Sequence, residues 1–395
     1  MPTPKSARRS RAEDRRRQLI TAATALFTDR GYPHVAVSDI AARAGVSAPT
    51  LYRHFADKQA LLFAATECGV DTFESVTDDA LAAESQLADP EPAQAVIVAV
   101  TALSLADPGA TSLWRWSGQH LSDEQNREVV RRTRSVLRRW AAAIAEGRPE
   151  LTERESMYLA GAALSVSGSL MSRAPKSDRA LVESLVQQLI RRILTLRPST
   201  APALSDPLVA STAEGRRDEI LDAAAQLFAG RGFPGTGMDD IGAAVGITGP
   251  SLYRHFPSKD AILVAIGQRS SLRLEAEAMA ASLTVTGPSE LLGALVDSYV
   301  QNLTGSPDLL VALTSSHVLA DNPHATELLA SQRRYVARWI DLLNAAQPEQ
   351  SPQVAALTVH AALAIVNDAA RMPRSTPRPE FAARMAYLMK GLLGV

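Results

Sequence analysis

Six donor side chains crowd into residues 47–58: Ser47, Thr50, Tyr52, Arg53, His54 and Lys58. Hydroxyl, guanidinium, imidazole and ammonium groups at this density suit hydrogen bonds to phosphate oxygens and base edges. They do not suit bond-breaking, because no catalytic spacing accompanies them. The seven histidines are scattered, and no HExxH helix, nucleophile elbow or phosphate-cradling glycine loop occurs. The chain is therefore read as a binding protein rather than an enzyme, with no cofactor and no metal.

The same donor set is written twice. Residues 45–58 read GVSAPTLYRHFADK and residues 246–259 read GITGPSLYRHFPSK. Thr248, Ser251, Tyr253, Arg254, His255 and Lys259 thus stand opposite the first set. The step is 201 residues and runs without a gap from Arg15 to Leu62. A period this long marks a duplicated domain, not a solenoid repeat.

Helices must position these donors. Leu19, Ile20, Ala23, Leu26 and Phe27 share one face of a first helix over about 12–29, which Gly31 closes. A short second helix over 37–44 turns Ile40 and Ala41 inward. Gly45 makes the turn. The third helix, 48–55, starts at Ser47 as cap, with Pro49 in the first turn, where a missing N–H costs little. Leu51 and Phe55 face the core, and Asp57 caps a fourth helix. The second copy repeats the scheme, with Thr248 for Ser47 and Ser258 for Asp57.

The charge is unevenly spread. The whole chain is net −1, yet the stretch up to Lys58 has eleven Lys and Arg against five acids, net +6. A basic end on a neutral chain is the footprint of a nucleic-acid partner. Without that partner, Lys5 to Arg17 reads as a solvated arm. The lone Cys68 excludes an internal disulfide and a cysteine zinc site and reads as a buried thiol. The longest apolar run, 95–106, is too short to span a bilayer, so a cytoplasmic location with no membrane contact is expected.

Taken together, the repeated residues resemble the TetR/AcrR family of bacterial transcriptional regulators. The likeness rests on Leu26-Phe27, Arg30-Gly31-Tyr32, Asp39-Ile40-Ala41, Gly45-Val46-Ser47, Leu51-Tyr52, His54-Phe55 and Lys58, and on their second-copy partners. It implies an all-α fold of two tandem units. Each unit would hold a three-helix helix-turn-helix domain, which binds DNA, and a helical body for ligand binding and dimerisation. The expected organisation is a basic arm over 1–12, a reader over 13–73 with its motif at 36–55, and a body over 74–197. A linker over 198–213 follows, then a second reader over 214–274 with its motif at 237–256 and a second body over 275–395. The implied partner is double-stranded operator DNA. Ser47, Thr50, Arg43 and Arg53 are candidates for contact with it, with Tyr52, His54 and Lys58 resembling phosphate contacts. Thr248, Ser251, Tyr253, Arg254, His255 and Lys259 are their counterparts.

The copies differ. From Glu214 to Lys259 there are five basic and six acidic residues, net −1, and Ala244 stands where the first copy has Arg43. Phosphate neutralisation drives non-specific affinity, so the second reader is expected to bind more weakly, or to serve as a structural or protein-interaction module. Val35-Ala36 replace the hydroxyl residues that usually open the second helix. In the bodies, Trp114, Trp116, His120 and Tyr158, and Tyr299 and His317, are candidates for a pocket that takes a small, apolar effector. Core packing is the alternative for each. Trp140 and Trp339 occupy matching positions at an offset of 199 and are read as core or interface. Self-association, as an intrachain pseudo-dimer or a homodimer, is expected.

Overall fold

The computed structural model describes residues 4–105, 113, 117–173, 178–205, 215–371 and 378–395. They are helical, with no strand among them. The chain divides into two units, Met1–Leu194 and Thr195–Val395.

The first unit holds α1 (Pro4–Arg30), α2 (Val37–Arg43), α3 (Ala48–Tyr52), α4 (Lys58–Ser85), α5 (Pro92–Leu105), α6 (Asp123–Gly147), α7 (Glu153–Arg173) and α8 (Arg179–Thr195). The second holds α9 (Arg216–Arg231), α10 (Met238–Ala244), α11 (Gly249–His255), α12 (Lys259–Thr284), α13 (Pro288–Gly305), α14 (Pro307–Thr314) and α15 (Ser316–Ala320). It ends with α16 (Thr326–Ala346), α17 (Pro352–Ala370) and α18 (Arg378–Leu393).

The reader core forms as the apolar stripes require. Leu19, Ala23 and Phe27 of α1 meet Ile40, Leu51, Phe55, Leu61 and Leu62, all buried. In the second unit Ile220, Ala224 and Phe228 meet Ile241, Leu252, Phe256 and Ile262. Each leucine, isoleucine and phenylalanine among them contributes about 1.5–3 kcal/mol by leaving water. Gly31 and Gly45 take φ of 79° and 65°, left-handed values that end a helix and turn the chain into the next.

Sequence and structure part at several points. The segment expected as a solvated arm is helical from Pro4. The α3 helix stops at Tyr52 because Arg53 and His54 bond back only three residues, to the carbonyls of Thr50 and Leu51. Cys68 is exposed rather than buried, since it falls on the outer face of α4. Ser47 holds the cap position of α3 but makes no side-chain cap; its hydroxyl lies 2.9 Å from that of Thr50. Asp57 and Ser258 do cap, accepting from Ala60 N at 2.7 Å and Ala261 N at 3.1 Å. The missing hydroxyl before α2 is offset by Asp39, which accepts from Ala36 N at 3.1 Å.

The fourth helix of each unit is long, at 28 residues in α4 and 26 in α12. The expected reader boundaries at 73 and 274 fall inside these helices, so each reader shares a helix with its own body. The reader cores extend accordingly, to Leu121 and Val129 in the first unit and to Val311 and Leu328 in the second. In the first body, Arg132 of α6 pairs with Asp71 and Glu74 of α4 at 2.6 and 2.5 Å. Residues 196–205 pack on the second body: Pro198 is buried, and Gln301 donates to the Ser205 carbonyl. Among the described residues, α17 alone is long and apolar enough to cross a membrane, and 61% of that stretch is buried, as in a core helix.

Candidate nucleic-acid interface

The two readers share one internal frame. Lys58, at the start of α4, donates to the carbonyls of Tyr32 at 2.8 Å and Val35 at 2.9 Å. Lys259 donates to Phe233 O at 2.7 Å and Thr236 O at 2.8 Å. Each ammonium also sits over an aromatic ring, 4.2 Å from the Tyr32 centroid and 4.4 Å from that of Phe233. Two of its three donors are thus spent inside the protein. Burial lowers the Lys58 pKa and raises that of Tyr32, where the Asp57 charge adds to the rise. These lysines strap the loop before the second helix to the start of the fourth, a role that a phosphate-contact reading from sequence does not include.

A second strap runs from the first helix. The Arg16 guanidinium lies 5.2 Å from the Phe55 ring centroid, and Arg217 lies 4.0 Å from that of Phe256. Arg217 also donates to the His255 carbonyl at 3.0 Å. Both pairs fix the end of the third helix against the first.

On this frame the remaining donors point outward. Tyr52 and Tyr253 are 54% and 53% exposed, unusual for tyrosines with no covering element and suited to a contact outside the chain. Arg43, Ser47 and Arg53 are exposed, while Thr50 and His54 are half-buried. In the second reader Thr248, Arg254 and His255 are exposed and Ser251 is half-buried, with Arg254 donating to Ser251 Oγ at 3.3 Å. Every predicted contact residue except the two lysines is thus exposed or half-buried in its reader.

The reader surface differs between copies. A side chain at Gly249 would lie 3.2 Å from Asp239 Oδ1, so a carboxylate stands against the first residue of α11. The first copy has Ser38 there. The second reader is also clamped to its body. Arg269 of α12 reaches Asp222 of α9 at 2.9 Å and Asp308 of α14 at 2.8 Å, with Asp218 at 3.6 Å. Asp308 is 1% exposed. Cys68 holds the matching place in the first copy, so that unit lacks this clamp.

The pocket candidates scatter. His120 stacks on the Tyr32 ring at 4.7 Å, and its carbonyl accepts from Gln59 Nε2 at 2.9 Å, so it packs on the reader rather than inside the body. Tyr158 is half-buried on α7. Tyr299 is buried and donates to Asn367 Oδ1 at 2.9 Å. Trp114, Trp116 and the His317 side chain lie outside the described residues.

The family of bacterial regulatory proteins, tetR family, matches twice, at residues 19–65 and 220–266. Each unit therefore carries the reader of the tetR family, in tandem. The transcriptional activator FasR of Mycolicibacterium smegmatis is 45% identical over 69 residues, 18% of this chain and 32% of that protein. The repressor KstR2 of the same species is 28% identical over 138 residues, 35% of this chain and 67% of that protein. The chain spans between about a third and about half the length of the first curated relatives it matches. Among solved structures, the ketosteroid regulator KstR2 of Mycobacterium tuberculosis aligns with a TM-score of 0.42 at 24% identity, covering 47% of this chain and 97% of that one. AibR, solved with isovaleryl coenzyme A and operator DNA, aligns at 0.39 and 22%, covering 46% and 97%.

Proposed function

We propose that this chain is a sequence-specific DNA-binding regulator of transcription, a repressor released by a small-molecule effector held in its helical bodies. The observation that carries this is the duplicated frame: the same lysine and arginine straps hold each third helix with its polar residues outward. Ser47, Thr50 and Arg53 read base edges, Tyr52 and His54 hold phosphates, and Arg43 adds charge from the second helix. The first reader binds DNA more tightly, because its basic balance neutralises more phosphates than the net −1 second reader can. The protein works in the cytoplasm, and paired readers come either from one chain or from two.

A second reading has its own support. The carboxylate of Asp239 on the outward surface and the Arg269 clamp both suit a second reader kept as a structural or protein-interaction module. Titration of the chain against its own upstream DNA, with footprinting and mass determination of the complex, tests both. One chain protecting two unlike half-sites about a helical turn apart supports two working readers. Two chains on a palindrome, with affinity unchanged by Tyr253→Ala and Arg254→Ala, supports the module. No specific protection at any salt concentration removes the regulator reading.

A further inference from the structure

Three aromatic rings meet inside the second body. Tyr299 of α13 and Tyr335 and Trp339 of α16 have centroids 6.4, 5.8 and 6.1 Å apart, pair by pair. All three are buried. Beside them lies Glu277 of α12, 2% exposed, close enough for its charge to act on the Tyr335 phenol. One carboxylate oxygen accepts from Ser298 Oγ and from Asn302 Nδ2, the latter at 3.0 Å. Both donors are neutral. Among the described residues no cation pairs with Glu277, and a carboxylate held away from water without one is costly.

Two polar atoms of the cluster are also orphaned. The Tyr335 hydroxyl and the Trp339 indole N–H make no well-formed hydrogen bond among the described residues, though the two lie near each other. The first body shows why. There Trp140, the counterpart of Trp339, donates to Thr77 Oγ1 at 3.0 Å. The second copy has Ala278 in place of Thr77, so the acceptor is gone. At the offset of 199, Ser298, Tyr299, Asn302 and Tyr335 stand where the first body has Ala99, Val100, Leu103 and Val136. The first body thus sets hydrocarbon at these four positions, beside an edge-on Phe73–Trp140 pair whose indole N–H is satisfied, whereas the second sets two phenol rings and two polar side chains there, against an acid and with its indole donor unmet.

We propose that the second body, and not the first, binds an organic cation: an amine with an apolar portion and a hydrogen-bond acceptor near the nitrogen. The charge rests on the faces of Tyr299, Tyr335 and Trp339 and against Glu277, and the acceptor takes the Trp339 N–H. Aromatic faces attract ammonium groups most strongly where water is excluded. A lone water would meet the orphaned donors but neither the charge nor the rings. The proposal rests on the reading that a small molecule in a body governs DNA release, and it names the body and the ligand class.

The test is calorimetric titration of the full chain with choline and with its uncharged isostere, 3,3-dimethylbutan-1-ol. Saturable binding with a preference for choline on the order of tenfold is expected. Glu277→Gln should erase most of that preference while keeping the melting temperature, and Tyr335→Val, which installs the first body's residue, should do the same. Equal binding of the two probes, no saturable binding of choline, or a wild-type preference in Glu277→Gln overturns the proposal. Retention of upstream DNA is read separately. Choline bound with DNA still held leaves the site standing and removes the release reading. Release by other molecules without a choline preference does the reverse.

Discussion

Lys58 donates to the Tyr32 backbone carbonyl at 2.8 Å and lies 4.2 Å from the centre of that residue's ring. One side chain thus holds another residue by both its backbone and its π face, and the second reader repeats this with Lys259 and Phe233. If the lysine served only as a phosphate contact, Lys58→Met would weaken DNA binding and leave stability alone. The strap predicts otherwise. Two charge-assisted bonds at part-buried carbonyls are lost, so the reader should lose about 2–3 kcal/mol. Thermal unfolding of Lys58→Met and Lys259→Met checks this, with a fall in melting temperature expected for each.

The outward donors predict an unequal pair of readers. Tyr52→Ala and Arg53→Ala should weaken binding to the chain's operator by about 1–3 kcal/mol each. Tyr253→Ala and Arg254→Ala should cost less. Binding isotherms at several salt concentrations separate the roles: loss of a phosphate contact lowers the salt slope by about one, whereas loss of a base contact relaxes sequence preference.

The Arg269 clamp predicts a penalty confined to the second unit. Arg269→Cys, which copies the first unit's residue, leaves Asp308 buried and uncompensated, at a cost of about 3–5 kcal/mol. Adding Asp308→Ala removes the stranded charge and should recover a large part of that loss. Urea unfolding of the single and double variants measures it, and equal stability of the two would show that the ion pair carries no such weight.

The buried phenols predict an alkaline limit. Burial pushes Tyr299 up to about 12 and Tyr335 higher still. The folded state therefore keeps protons that the unfolded chain releases near pH 10. Their stabilising contribution is intact below pH 10 and is lost as pH rises toward 12, at about 1.4 kcal/mol per pH unit for each tyrosine. Tyr299→Phe should flatten that fall in stability measured between pH 10 and 12.

Much of this molecule was legible beforehand, and the reason lies in periodicity. Leu19, Ala23 and Phe27 announce a buried helix face, and Gly31 and Gly45 announce its turns, because local rules govern both. The duplicated LYRHF segment located each third helix. Less legible were contacts that close over distance. Lys58 meets Tyr32 from 26 residues away, although a lysine and an aromatic kept at that spacing in both copies was a signal of it. Arg269 and Asp308 come from different helices, and nothing periodic joins them. Cys68 departs from expectation because a cysteine's usual burial says little about one position on a two-sided helix. Tyr335 is illegible in the sequence, since a single tyrosine among apolar residues looks like core and only the folded structure leaves its hydroxyl unmet.

The long helix shared by reader and body has a mechanical consequence. At 1.5 Å per residue, α4 and α12 extend about 42 and 39 Å. Each is a lever with one arm in the body and the other behind the reading surface. Tilting such a rod by about 5° swings its far end by about 3–4 Å, the rise of one base-pair step. A guest of the proposed kind that tilted either rod by this angle would therefore shift its reader by about one base-pair step.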